Sequence, residues 1–390
     1  MKTESVIVGW AHSKFGKSDA SDIEALIAEV GNAALEHAGI DAQDVDFATI
    51  GVLNAGFSKQ GFEAGLISAA MPELRHTPAV RVENACATGT AAIYTAIDFI
   101  ESGRGEIALV FGAEKMTGVP ISEVGDILLA GAYRKEEDQV EAGFAGIFGQ
   151  ITQSYFQKYG NQSKALAMIS AKNHANAMHN PYAHMQKDFG FDFCNTVSDK
   201  NPIVAGPLRR TDCSLVSDGA AALVIASPAA AADLKRAIAF RARAHQNDMF
   251  PLSRREMHAF DGAHRAWAQA KDQAGISLED LSFVETHDCF TTAEMIEYEA
   301  MGLTAVGEGW KAIQEGLTRK DGRLPVNPSG GLKARGHPIG ATGVSMHVMA
   351  AMQLMNDAGG MQIKDANMAG VFNMGGAAVT NYVSILERVK

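Results

Sequence analysis

Residues 38–47 read AGIDAQDVDF, and residues 274–283 read AGISLEDLSF. Each follows an alanine-rich stretch with helical spacing and leads into a short extended-type run, 48–53 in the first case and 284–286 in the second. Two further pairs lie downstream in the same order. ATG at 87–89 opens the apolar stretch TAAIYTAIDFI, and ATG at 341–343 opens VSMHVMAAMQLM. IALVFGAEK (107–115) matches MAGVFNMGG (368–376). Three pairs in one order, with a slowly drifting separation, indicate a duplicated helix–strand–helix–strand unit.

Strands that alternate with helices predict α/β layers. The helices expected at 87–100 and 341–354 carry small and apolar residues on most faces, so both are expected to be buried. Residues 118–205 break the pattern with a run rich in Gly, Asn, His, Met and aromatics. They read as an insertion with some helix, for instance over 142–160. CSLVSDGAAALVIAS (213–227) resumes regular patterning and reads as two strands around a Gly/Ala-rich turn. Residues 228–236 lead on to the second half. The expected division is 1–117 plus 206–235 for the first half, 118–205 for the insertion and 236–390 for the second half.

Bulk composition excludes several classes. The chain has 390 residues, 47% hydrophobic and 20% charged, as in a globular protein with a large core. A net charge of −11 argues against a nucleic-acid-binding surface. The start, MKTESVIVGW, lacks a long apolar signal segment. No stretch approaches the roughly 18 apolar residues of a membrane span. Cytoplasm is the expected location. The four cysteines (Cys86, Cys194, Cys213 and Cys289) form neither a Cys-x-x-Cys metal pair nor a disulfide framework, and no metal is expected.

Four places carry residues suited to chemistry. Cys86 lies between an extended run and a helix of small residues, where the positive end of the helix dipole favours thiolate; a buried structural cysteine is the other reading. His337 sits in NPSGGLKARGHPIGATG (327–343), with five glycines and two prolines in seventeen residues. Such a loop has demanding backbone geometry, and it precedes the second ATG helix as Cys86 precedes the first. If the halves pack about a pseudo-twofold axis, His337 faces Cys86 and can act as its base; a turn-stabilising histidine is the plainer alternative. His287 and Cys289, in HDCF (287–290), mark a strand C-terminus, where α/β proteins place their sites; a polar turn is also possible there. NMGGA (373–377) can turn backbone N–H groups toward a substrate oxygen, or be only a turn.

At these motifs the chain resembles the thiolase family. GHPIGATG (336–343), NPSGG (327–331), NACATGTAA (84–92) and SDGAAALVIAS (217–227) carry the resemblance, which runs from about residue 5 to residue 385. The chain departs from the best-known thiolases in two places. HDCF stands where they carry Asn-Glu-Ala-Phe, and Asn373 stands where they carry a second catalytic cysteine. Both departures match the sterol carrier protein-type branch, whose acid/base cysteine lies in HDCF, so Cys289 takes that role.

The resemblance implies two similar five-stranded α/β halves packed in five layers, with residues 118–205 as a loop domain that binds coenzyme A through contacts the sequence does not specify. It implies acyl exchange between coenzyme A, a substrate and not a tightly bound cofactor, and a 3-ketoacyl-CoA. Cys86 becomes the acyl-enzyme, His337 takes its proton, and Cys289 moves a proton at the α-carbon. Backbone N–H groups of Cys86 and Gly375 would form one oxyanion site, and His337 with His287 the other. Family members are homodimers or homotetramers, and some relatives work with a small accessory protein. A non-catalytic acyl-CoA-binding scaffold, and a ketoacyl synthase-like enzyme, are the alternatives on the same fold. Cys194 and Cys213 read as structural.

Overall fold

The computed structural model describes residues 4–390. The opening residues of the first half and of the apolar-poor start, 1–3, lie outside the described residues. The strands are β1 (Val6–His12), β2 (Phe47–Gly51), β3 (Ala79–Val82), β4 (Ile107–Glu114), β5 (Ile203–Ala205), β6 (Leu208–Arg209), β7 (Gly219–Ala226), β8 (Ile238–Asn247), β9 (Phe283–Glu285), β10 (Met368–Gly375) and β11 (Thr380–Arg388).

Nine of them form one sheet in the order β3-β2-β4-β7-β1-β8-β11-β10-β9. The order reads the same from both ends. In the first half, β2 and β4 are parallel, and β7 lies antiparallel between β4 and β1. In the second, β9 and β10 are parallel, and β11 lies antiparallel between β10 and β8. Val326 takes the fifth place through a parallel bridge to Val284, the counterpart of β3 on β2. The halves join where β1 pairs β8 at Val6–Ala239 and Ile7–Ile238.

Composition explains the strands. β4 and β7 are almost entirely buried, as continuous apolar runs covered on both faces are. β8 alternates buried and partly exposed residues, as an antiparallel strand with one wet face does. The segment 213–227 holds one strand, β7, and not the two expected. Its first part is spent on Asp218, whose carboxylate accepts from the amides of Ser18, Met116 and Thr117 and pairs with Lys115 at 2.7 Å.

Helices complete the layers. Ile23–Ala38 covers the outer face of the first half and Asp261–Ala274 that of the second. Each ends at a left-handed glycine, Gly39 or Gly275, which supplies the C-cap without a Cβ penalty. The helices Thr88–Glu101 and Ile339–Leu354 lie between, against each other. Their two ATG motifs allow this approach. A Cβ on Gly89 would sit 2.7 Å from the amide nitrogen of Val344, and one on Gly343 would sit 2.2 Å from that of Thr90. Every residue of Ile339–Leu354 is buried.

The insertion is more helical than its composition suggested. It holds helices Ile121–Leu128, Arg134–Glu137, Phe144–Tyr159, Ser163–Ala177 and Gly190–Asn195, and it ends on β5, which pairs with β6 just beyond it. The asparagines of its fourth helix and the loop beyond point inward. Asn173 donates to Asp288 and Glu294, Asn176 to the Asn327 carbonyl and Asn180 to the Ser329 carbonyl. The insertion thereby holds the HDCF strand end and the NPSGG loop in place.

Candidate active site

Cys86 follows β3 on a strained elbow. Ala85 has φ of +49°, a region that a non-glycine residue occupies only when its surroundings impose it. Those surroundings are specific. The Thr88 hydroxyl donates to the Ala85 carbonyl at 2.6 Å and accepts from the Asn84 amide at 2.8 Å. The Asn84 side chain donates to Thr380 and Tyr382 on β11. The elbow is thus fastened across both halves and points Sγ toward the second.

There the sulfur meets the two histidines. Sγ of Cys86 and one ring nitrogen each of His287 and His337 lie within 4.8 Å of one another, all buried. The rings pack edge to face with centroids 5.2 Å apart. His337 spends Nδ1 on the Thr342 hydroxyl at 2.6 Å, and His287 spends Nδ1 on the Asn373 side-chain amide at 2.9 Å. Both Nε2 atoms are buried, with no partner among the described residues. With Nδ1 committed, Nε2 is the nitrogen each ring offers to Cys86.

Cys289 borders the same cavity as Cys86 and His337. The strand end that carries it is clamped by Asp288, which accepts from the amides of Leu332 and Lys333 and from Asn173. Gly331 makes the clamp possible. Its φ is +59°, and a Cβ there would sit 2.3 Å from the Asp288 carboxylate. The cavity is about 290 Å³, and its wall is mostly apolar, including Leu128, Phe144 and Phe290.

Gly375 ends β10, paired with Thr380, and a Cβ on it would sit 2.4 Å from the Asn84 carbonyl oxygen. The next residue, Gly376, also borders the cavity, and its amide favours the charged form of the Cys86 thiol. Cys194 is buried away from the cavity wall, but Cys213, read as merely structural, borders it.

Electrostatics correct one expectation. The helix N-terminus does not make Cys86 a thiolate, because burial pushes the thiol up to about 12 and Glu83 and Glu114 push the same way. Burial, with the nearby Cys86, holds the Cys289 thiol well above its ordinary range. Burial and Arg335 push His337 down to about 3, and burial, His337 and Arg335 hold His287 well below its usual range. The resting site therefore contains two neutral thiols and two neutral imidazoles. Sequence reasoning missed Thr342, Glu114 and Asn173. Thr342 carried a signal, since it is the middle residue of the second ATG.

Known proteins share the sequence pattern and the fold. The family model for the thiolase N-terminal domain matches residues 5–193, and that described as thiolase C-terminal domain-like matches residues 244–388. An acetyl-CoA acetyltransferase of Methanothermobacter thermautotrophicus is 35% identical, over 98% of this chain and 99% of that protein. Sterol carrier protein 2 of Homo sapiens is 32% identical over 96% of this chain and 70% of that one. Among solved structures, an Ltp2-ChsH2(DUF35) aldolase matches with TM-score 0.84 at 20% identity, covering 99% of this chain and 98% of that one. A monomeric SCP2-thiolase-like protein type 1 from Mycobacterium smegmatis matches with TM-score 0.77 at 20% identity, covering 99% and 77%. The fold and the matches define a coenzyme A-dependent acyltransferase. The chain belongs to the thiolase family, in its sterol carrier protein-type branch.

Proposed function

We propose that this acyltransferase works through a covalent acyl-enzyme at Cys86, exchanging acyl groups between coenzyme A and a 3-ketoacyl-CoA by thiolysis or Claisen condensation. The observation that carries the reading is the meeting of Sγ of Cys86 with His287 and His337 beside an apolar cavity that Cys86, His337 and Cys289 border.

The neutral groups suit the steps. Cys86 is held as a thiol, so it attacks only as its proton leaves, and the neutral His337 ring takes that proton at Nε2. The Thr342 hydroxyl also lies 2.9 Å from the Pro338 carbonyl oxygen, and the proton between those oxygens must be the hydroxyl's own. Thr342 therefore accepts from Nδ1–H of His337, which leaves the lone pair on Nε2. The sulfur–carbonyl bond forms, the thioester bond breaks, and the leaving sulfur takes the proton from His337. The amides of Cys86 and of Gly375 and Gly376 serve the oxyanion at this carbonyl, and His287 serves the second thioester oxygen, joined by His337 while its Nε2 carries the transferred proton. In cleavage Cys86 attacks the 3-keto carbon and the bond to the α-carbon breaks; the neutral Cys289 thiol gives its proton to the departing enolate and regains one from the protonated His337. Condensation runs the reverse. The Cys289 proton passes first to neutral His337, and the Cys289 sulfur takes the α-carbon proton. The new carbon–carbon bond forms as the Cys86 thioester bond breaks, its sulfur taking the proton from His337.

The remaining assignments belong to the same reading. Residues 118–205 are the loop domain that receives coenzyme A, between a first half of 1–117 with 206–235 and a second half of 236–390. The enzyme acts in the cytoplasm, in lipid metabolism, as a homodimer or homotetramer, with an accessory protein as a possible further chain. The open edge of β3, where Val80 is exposed, supports association, since an unpaired strand edge is a template for pairing. Among the described residues no helix is long and apolar enough to cross a membrane.

Intact-mass analysis with acetoacetyl-CoA and free coenzyme A tests the mechanism. The wild type is expected to show an acetyl adduct and loss of the 3-ketothioester absorbance. Cys86→Ala should lose the adduct, and Cys289→Ala should keep it while turnover stalls. Normal turnover by Cys289→Ala would remove its acid/base role. No adduct and no turnover on any 3-ketoacyl thioester would leave the scaffold alternative.

A further inference from the structure

We propose that Asn373 is a positioning residue that holds His287 with its proton on Nε2, making this ring a hydrogen-bond donor into the site and withholding it from metal ions. One side-chain amide has three partners. Asn373 Nδ2 lies 3.1 Å from the Cys86 carbonyl oxygen and 2.9 Å from His287 Nδ1, and Oδ1 lies 2.7 Å from the Thr90 hydroxyl. The Cys86 carbonyl only accepts, so the group facing it must be the NH₂; turning the amide over would set two oxygens against each other at that distance. The NH₂ has no acceptor atom, so His287 Nδ1 must be the unprotonated nitrogen, and the ring proton resides on Nε2. All of these residues are buried, and among the described residues Asn373 is the hydrogen-bond partner of Nδ1.

His287 and His337 therefore hold opposite tautomers. Nε2 of His337 presents a lone pair, and Nε2 of His287 presents a proton. The pair is divided into one acceptor and one donor by two neutral neighbours, Thr342 and Asn373. The second consequence concerns cations. One thiol and two imidazoles within 4.8 Å make a ligand set suited to zinc or a similar thiophilic ion. A metal-bound histidine needs its lone pair on the ligating nitrogen, with the proton on the other. Asn373 blocks that arrangement, because Nδ1–H of His287 would face an N–H. A thiol nucleophile between two histidines is thereby kept from capture by trace metal.

The donor role rests on the function proposed above; the tautomer and the metal discrimination do not. Long-range ¹H–¹⁵N spectra of the ¹⁵N-histidine-labelled wild type read the tautomer directly, with His287→Gln identifying the signal. We expect Nε2 of His287 to be protonated and Nδ1 unprotonated. Protonation of Nδ1 would overturn the proposal, and this measurement needs no variant at Asn373. Asn373→Asp supplies the second test. A carboxylate at this position accepts Nδ1–H, which moves the lone pair to Nε2. Zinc chloride should then inhibit Asn373→Asp at concentrations at least tenfold below those needed for the wild type. Its kcat should fall about a hundredfold, the usual effect of losing one oxyanion donor. Equal zinc sensitivity in the two proteins would overturn the metal discrimination. Should the wild type form no acyl adduct while its His287 spectrum is as expected, the proposed function fails and the tautomer assignment stands.

Discussion

β4 ends on Glu114 and β10, its counterpart in the second half, ends on Gly375. Both strand ends face the start of a central helix, and Gly340 and Cys86 stand at equivalent positions before the two ATG motifs. The chemistry is reversed between them. Glu114 accepts from the amides of Leu53, Asn54 and Gly340, each at 2.9 Å, and ties the second helix into the first half. On the other side Gly375 brings no carboxylate, and the Gly376 amide instead favours the charged form of the Cys86 thiol against its burial. The same contrast holds two residues earlier. Gly112 leaves room for the Gly340 carbonyl, which would sit 2.6 Å from a Cβ there, whereas its counterpart Asn373 reaches the Cys86 carbonyl. The duplicated unit thus built one junction that closes the structure and one that stays open to a substrate.

This contrast can be broken experimentally. The largest effect is expected at Gly340, where a Cβ would sit 2.4 Å from the Gly51 carbonyl oxygen and 2.5 Å from that of Ala113. Backbone cannot yield as a flexible side chain can, so Gly340→Ala should lose about 3 kcal/mol or more in urea denaturation. Cys86→Ala, at the equivalent position, should stay within about 1 kcal/mol of wild type. Similar losses in both would show that the two junctions are packed alike.

Glu114 comes next. Burial raises its carboxyl to about 7, against an ordinary value of 4.5. A raised acid favours the folded state while protonated, so its contribution is complete below the ordinary value and is lost as pH rises through about 7. Between pH 5 and pH 8 the wild type should lose about 2 kcal/mol that Glu114→Gln, which cannot ionise, does not lose. Parallel stability profiles for the two proteins would contradict the assignment.

The smallest effect is expected at Thr342. Thr342→Val keeps the volume but removes the acceptor for His337 Nδ1, at a cost of about 1 kcal/mol in orienting the base, or roughly a fivefold loss in the rate of acyl-enzyme formation. Stopped-flow acylation measures it, and an unchanged rate would mean that packing alone holds the ring.

Much of the site was legible because the repeat is a statement about geometry. Two helices opening on ATG must pack closely, and residues just before them must then meet, which pairs Cys86 with His337 before any coordinates. HDCF added His287 and Cys289 because a strand end after a repeated strand points to the same place. Glycine and apolar spacing likewise announced the α/β layers. The second strand expected in 213–227 failed because Asp218 diverts its backbone, a contact with residues about a hundred or two hundred positions away in sequence that no local pattern displays.

What the sequence determined by itself is therefore the duplication, the elements it repeats and the residue types at the junction, since these follow from spacing and from which side chains allow close approach. Only the tertiary structure decided protonation and direction. Whether Cys86 is thiol or thiolate depends on how much protein surrounds it, and which nitrogen of each histidine carries the proton depends on a single neighbour, Thr342 or Asn373, brought there by the fold. Burial and partner identity are sums over distant parts of the chain, and a linear reading has no access to them.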